Sequence, residues 1–144
     1  MTSCVTEVPA APSEQVHAFY AERLSRETDC WDVHDAMQAG AMDFVLLDVR
    51  SDEKYREAHV PGAIHMLVGK MTCSRLEAWS DDTLFVVYCA GPHCNGTDKA
   101  ARRLSELGRK VKVMIGGMTG WADEGFVFAH GAEPGSVAGV DAAA

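Results

Sequence analysis

The chain has 144 residues, 47% of them apolar, and a formal net charge of −8. That length makes one domain able to bury about two-thirds of its unfolded surface, so no metal or disulfide is required to hold a core. The acidic balance excludes the basic footprint of a nucleic-acid binder, and no run reaches the roughly 18 apolar residues that span a bilayer.

The start, "MTSCVTEVPAAPSEQ", has neither the basic opening nor the apolar centre of a secretory signal, so a cytoplasmic location is expected. Residues 1–12 are rich in Pro, Ala and Thr and read as a flexible arm. Ser13 can cap a helix whose Val16, Phe19, Tyr20 and Leu24 share one face. This predicts a helical extension packed on the domain. "WDV" at 31–33 is ambiguous, and "HDAMQAG" reads as a short helix ended by Gly40.

"DFVLLDVR", 43–50, is a continuous apolar run ending in charge, the pattern of a strand buried on both faces of a parallel sheet. "SDEKYREA" reads as a short helix opened by Ser51, and "AIHM" after Pro61–Gly62 as a short strand. Residues 70–80 suggest one helical turn with Leu76 and Trp79 inward. "TLFVVYC", 83–89, is a second buried strand. "GTDKAARRLSELG" follows as a helix capped by Thr97, packed through Ala100, Ala101, Leu104 and Leu107, and ended by Gly108. "KVKVMIGG" is a further strand stopped by paired glycines, and "MTGWADEG" a last short helix. The segment 130–144 is Gly- and Ala-rich and reads as a disordered tail, leaving 13–129 as the domain. Strands alternating with helices make an α/β fold with a mainly parallel sheet flanked by helices. Sites in such sheets lie beyond the carboxyl ends of the strands.

Cys4, Cys30, Cys73, Cys89 and Cys94 form an odd, scattered set, which is no disulfide framework and fits a reducing compartment. Cys89 and Cys94 stand out in "VVYCAGPHCNGTDKAARRL". The Cys-x4-Cys spacing and the lack of a second pair argue against a metal clip. Cys89 closes a strand, and a helix begins soon after. Amides of the loop and of the first helical turn can converge on an anion and lower a thiol's pKa. On spacing alone, Cys89 reads equally as such a nucleophile or as a buried strand-end cysteine.

Three stretches together resemble a single rhodanese (sulfurtransferase) domain: "LLDVRSDEKYREAHVPGAIHM", "VVYCAGPHC" with "AARRLSELG", and "VKVMIGGMTGW", covering roughly residues 30–125. The resemblance implies a rhodanese-like fold with no cofactor or metal. It also implies that Cys89 accepts a sulfane sulfur from a small sulfur-containing donor and passes it, as a persulfide, to a thiol, to cyanide or to a protein acceptor. Ala90, Gly91, Pro92, His93, Asn95, Gly96 and Thr97 would form the substrate-binding loop. Asp48, Arg50, Gly116 and Gly117 would support the site, the first two as an ion pair or backbone clamp and the glycines by close backbone approach. His59 is expected to hold its own turn.

The loop departs from the family pattern. Gly96 and Thr97 come seven and eight residues after Cys89, so the loop reads about two residues longer than usual. It carries no Lys or Arg, and Lys99 and Arg102 of the following helix could serve only from the rim. Phosphatases of this fold need an arginine six residues after the cysteine, where this chain has Asn95. Cys94 reads as a resolving cysteine, an alternative nucleophile or a loop-packing residue. The competing functional reading is a redox-sensing or non-catalytic domain that binds a protein partner.

Overall fold

In the computed structural model, which describes residues 1–143, every apolar run predicted as a strand enters one parallel sheet. The strands are β1 (Glu27–Asp29), β2 (Val45–Asp48), β3 (Ile64–His65), β4 (Leu84–Tyr88) and β5 (Lys110–Ile115), in the order β1-β5-β4-β2-β3. The central register places Leu46 beside Val86 and Asp48 beside Tyr88. The helices are α1 (Ser13–Arg26), α2 (Cys30–Gln38), α3 (Asp52–Glu57), α4 (Cys73–Leu76), α5 (Gly96–Glu106), α6 (Gly117–Asp123) and α7 (Val137–Ala143), with a 3-10 turn at Val68–Lys70. Among the described residues no helix is long and apolar enough to cross a membrane.

Alternation along the strands divides the core into two layers. Leu46, Val86, Tyr88 and Met114 pack with Val33 of α2, Tyr55 of α3 and Trp121 of α6. Leu47, Phe85, Val87 and Cys89 pack with Leu76 of α4 and with Ala100 and Leu104 of α5.

Several expectations are corrected. The ambiguous stretch at 31–33 is helical, because the Asp29 side chain accepts from the Asp32 amide (2.8 Å) and starts α2 at Cys30. Thr97 is not a cap. It is buried inside α5, whose N-cap is Asn95. β1 has no apolar signal; its polar Glu-Thr-Asp backbone pairs with the edge of β5. The apolar face of α1 does not pack down. Val16, Phe19, Tyr20 and Leu24 are all exposed, Tyr20 and Leu24 lining only an open groove with Ile115 of β5.

The expected loose tail also differs, residue 144 lying outside the described residues. His59 and Ala129 exchange backbone hydrogen bonds (both 2.9 Å), and the Gly131 and Gly62 amides donate to Arg56 and Pro134 carbonyls (both 2.8 Å). Val137 of α7 is buried in the first core layer. His59 therefore does more than hold its turn. Its Nδ1 lies 2.8 Å from the Tyr55 carbonyl and its Nε2 lies 3.0 and 3.1 Å from the Glu133 and Pro134 carbonyls. Those bonds and the burial of Val137 outweigh the weak propensity of a Gly- and Ala-rich segment.

The strand ends are joined by a buried polar network. The Asp48 carboxylate, wholly buried, accepts from Arg50 Nη2 (2.8 Å) and from the Arg50 amide (2.9 Å). Tyr88 donates its hydroxyl to Asp48 Oδ2 (2.6 Å) and accepts from the Val60 amide (3.0 Å). Arg50 Nη2 also donates to the Ala58 carbonyl (2.6 Å). Removing one partner of such a pair strands the other charge away from water. Arg50→Met is expected to cost about 3 kcal/mol of unfolding free energy. Tyr88→Phe is expected to cost about 1–2 kcal/mol. Urea titration measures both, and a loss under about 1 kcal/mol for Arg50→Met would mean that the pair does not hold these strand ends together.

Candidate functional site

Cys89 follows Tyr88 directly, and the alternation that sends Tyr88 to one layer turns the Cys89 side chain to the other, toward α5. Its side chain is buried. The loop beyond it folds back through a turn in which the Cys94 amide donates to the Gly91 carbonyl (3.1 Å). This turn brings Cys94 over Cys89, with Cα atoms 6.4 Å apart and the two sulfurs joined in a disulfide.

Three glycines make the arrangement fit. A Cβ at Gly96 would lie 2.9 Å from Cys89 Sγ and 3.4 Å from Cys94 Sγ. The first residue of α5 therefore leaves the space that the sulfurs occupy. At Gly117 (φ 56°) a Cβ would collide with the Cys89 carbonyl, and at Gly91 one would lie 2.6 Å from Thr119 Oγ1. Through these close approaches the start of α6 clamps the loop. The Met118 amide donates to the Cys89 carbonyl (3.1 Å), and the Thr119 amide and hydroxyl donate to the Ala90 carbonyl (3.0 and 3.1 Å). The first amides of α5 have no intrahelical partner, and the helix dipole adds partial positive charge where the sulfurs sit.

Both cysteines open onto a cleft of about 370 Å³ at the carboxyl ends of β4 and β5. Gly91, Pro92, Thr97, Gly116 and Gly117 also line it, while Ala90, His93 and Asn95 lie outside it. Asp48 and Arg50 do not reach the cleft. They act one layer away, by fixing Tyr88 beside Cys89. Lys99 and Arg102 do not line it either; Arg102 faces Glu106 instead (3.6 Å).

The cleft does contain a cation, Arg23 from α1. Arg23 Nε donates to Glu27 Oε2 (2.8 Å), and that bond raises the arginine's pKa further. Glu27 and Asp98 line the same cleft, so its charged groups are one cation, already paired, and two carboxylates. Sequence reasoning missed Arg23 and Glu27 because both depend on β1, which has no apolar pattern to announce it. The (i, i+4) spacing of Arg23 and Glu27 was the one available signal.

Cys30 is a different kind of thiol. It is buried beneath the Gly116–Gly117 turn, with its sulfur 3.6 and 3.5 Å from the Ile115 and Gly117 carbonyls. Burial, reinforced by Asp29 and Glu124, pushes it up to about 12. Cys4 and Cys73 are exposed. Among the described residues no cluster of three or more His, Cys, Asp or Glu side chains is placed to hold a metal ion. At about pH 8 an alkylating agent is expected to modify Cys4 and Cys73 in the native protein, Cys89 and Cys94 only after reduction, and Cys30 only after unfolding. Peptide mapping reads this order, and rapid native labelling of Cys30 would contradict its placement.

Residues 31–124 match the rhodanese-like domain. The HTH-type transcriptional regulator Rv0324 of Mycobacterium tuberculosis is 35% identical over 97 residues, which cover 63% of this chain and 42% of the regulator. The chain thus spans about two-fifths of that relative. Thiosulfate sulfurtransferase GlpE of Coxiella burnetii is 31% identical over 80 residues, 55% of this chain and 72% of that protein. Among solved structures, the BH2092 protein of Bacillus halodurans superposes with a TM-score of 0.80 at 32% identity, covering 84% of this chain and 88% of its own.

Proposed function

Because the chain belongs to the rhodanese-like domain family, we propose that it is a sulfurtransferase that moves a sulfane sulfur through a persulfide on Cys89. The observation that carries this reading is the position of Cys89 Sγ at a strand end, facing the amino terminus of α5 across a gap that Gly96 keeps open. The similarity to a thiosulfate sulfurtransferase supports the same reaction class.

The reactive form is the dithiol, reached by reducing the Cys89–Cys94 disulfide. The Cys89 thiolate attacks the donor's outer sulfur. The bond between that sulfur and the rest of the donor breaks, the leaving group departs as its anion, and Cys89–S–S⁻ remains. Unpaired amides at the start of α5 stabilise this anion, as they do the thiolate before it. A thiolate or cyanide then attacks the terminal sulfur and regenerates Cys89. A protein thiol can serve as this acceptor.

The charges of the cleft bear on the donor. Glu27 and Asp98 repel a dianion, and Glu27 already occupies Arg23. Monoanionic or neutral donors are therefore favoured over thiosulfate.

A second reading, a redox-sensing domain that binds a protein partner, is favoured by one observation, the Cys89–Cys94 disulfide. The mycobacterial relative is named as a transcriptional regulator, which is compatible with such a role.

Intact-mass spectrometry tests the proposal. Fully reduced protein carrying Cys94→Ser is expected to gain the mass of one sulfur atom from benzenethiosulfonate, and adding Cys89→Ser abolishes the gain. A gain that persists without Cys89 would falsify the assignment, and no gain on any variant would leave the sensing reading. Initial charging by benzenethiosulfonate should exceed that by thiosulfate, and Glu27→Gln should narrow the gap a few-fold by releasing Arg23. An unchanged ratio would remove Glu27 from donor selection.

A further inference from the structure

We propose that Cys94 resolves the Cys89 persulfide and releases its outer sulfur as hydrosulfide, which makes the protein a dithiol-driven, sulfide-releasing persulfide reductase. The inference rests on the persulfide reading of Cys89 and names what happens next at that site.

The observations are geometric. The Gly91–Cys94 turn carries the second sulfur to bonding contact with the first, and the Cα separation of 6.4 Å falls in the range that a disulfide spans without backbone movement. Gly96 leaves room for both sulfurs at once. Cys94 lines the same cleft as Cys89 and is only half-buried, so it is reached by the same solvent and reductant. No other cysteine can substitute. Cys30 is buried with its sulfur turned to the Ile115 and Gly117 carbonyls, and Cys4 and Cys73 line no part of this cleft. A cysteine that only packed the loop would not need its sulfur against the nucleophile's.

The step balances. Cys89–S–S⁻ and Cys94–SH give Cys89–S–S–Cys94 and HS⁻. The bond between Cys94 Sγ and Cys89 Sγ forms, the bond from Cys89 Sγ to the outer sulfur breaks, and the Cys94 proton leaves with that sulfur. The sulfane sulfur is reduced to sulfide while the two cysteines are oxidised to the disulfide. An external dithiol then reduces the disulfide by exchange and is itself oxidised. Glu27 and Asp98 at the cleft favour departure of the hydrosulfide anion.

A single-turnover experiment tests this on the full chain. Reduced protein, freed of reductant under anaerobic conditions, receives one equivalent of benzenethiosulfonate. Its leaving group, benzenesulfinate, is not a thiol, so sulfide can come only from the transferred sulfur. The wild type is expected to release close to one sulfide per chain, to lose two titratable thiols and to finish with the disulfide mass. Cys94→Ser and Cys94→Ala are expected to keep the added sulfur and to release sulfide at least about ten-fold more slowly until dithiothreitol is added. If the wild type instead holds a stable persulfide and releases sulfide no faster than the variants, the resolving role is overturned while the sulfurtransferase reading stands. If neither the wild type nor the variants gain sulfur, both fail.

Discussion

The buried Asp48 carboxylate is the constraint around which this molecule is arranged. It sits at the carboxyl end of β2, in register with Tyr88 at the end of β4, and is wholly excluded from water. A charge in that position is tolerable only if its partners are complete. Arg50 supplies the counter-charge, the Arg50 amide and the Tyr88 hydroxyl supply donors, and Arg50 in turn ties down the Ala58 carbonyl. The Tyr88 hydroxyl stays protonated because burial and the adjacent carboxylate raise its pKa well above the ordinary value. The ends of two central strands, α3 and the entry to β3 are thereby held together, and the residue after Tyr88 is Cys89.

From that anchor the chemistry of the site follows by short steps. Period-two alternation directs Tyr88 to one layer and Cys89 to the other. The α6 amides hold the Cys89 and Ala90 carbonyls, which is possible only because Gly117 has no side chain. Gly96 then leaves the sulfur exposed to the start of α5. Each contact is a modest backbone interaction, yet together they fix a sulfur atom against a helix terminus. The sulfur transfer proposed above needs no catalytic base, since a thiolate is already nucleophilic.

The charge of the cleft is the feature least expected from the loop. The loop has no cation, and the helix after it turns Lys99 and Arg102 elsewhere. Arg23 arrives instead from α1, on a segment outside the matched domain, and brings Glu27 with it. The same helix leaves Phe19, Tyr20 and Leu24 exposed.

Much of this was readable from the chain. The four apolar strands, the α5 helix, the Ser51 cap and the position of Cys89 depend on local periodicity and turn residues, which a linear pattern carries in full. Where sequence reasoning went astray, the deciding interaction came from elsewhere. β1 forms because β5 offers an open edge, the Gly- and Ala-rich end is held because His59 faces the 133–134 carbonyls, and the apolar face of α1 meets only an open groove at Ile115. The meeting of Arg23 with the cleft, and of Cys94 Sγ with Cys89 Sγ, is likewise a matter of which segments the fold brings together. Sequence spacing admitted a packing residue, a second nucleophile or a resolving thiol at Cys94. The turn at Gly91 and the space above Gly96 brought the two sulfurs into contact, because close packing in three dimensions, unlike periodicity, leaves no mark along the chain.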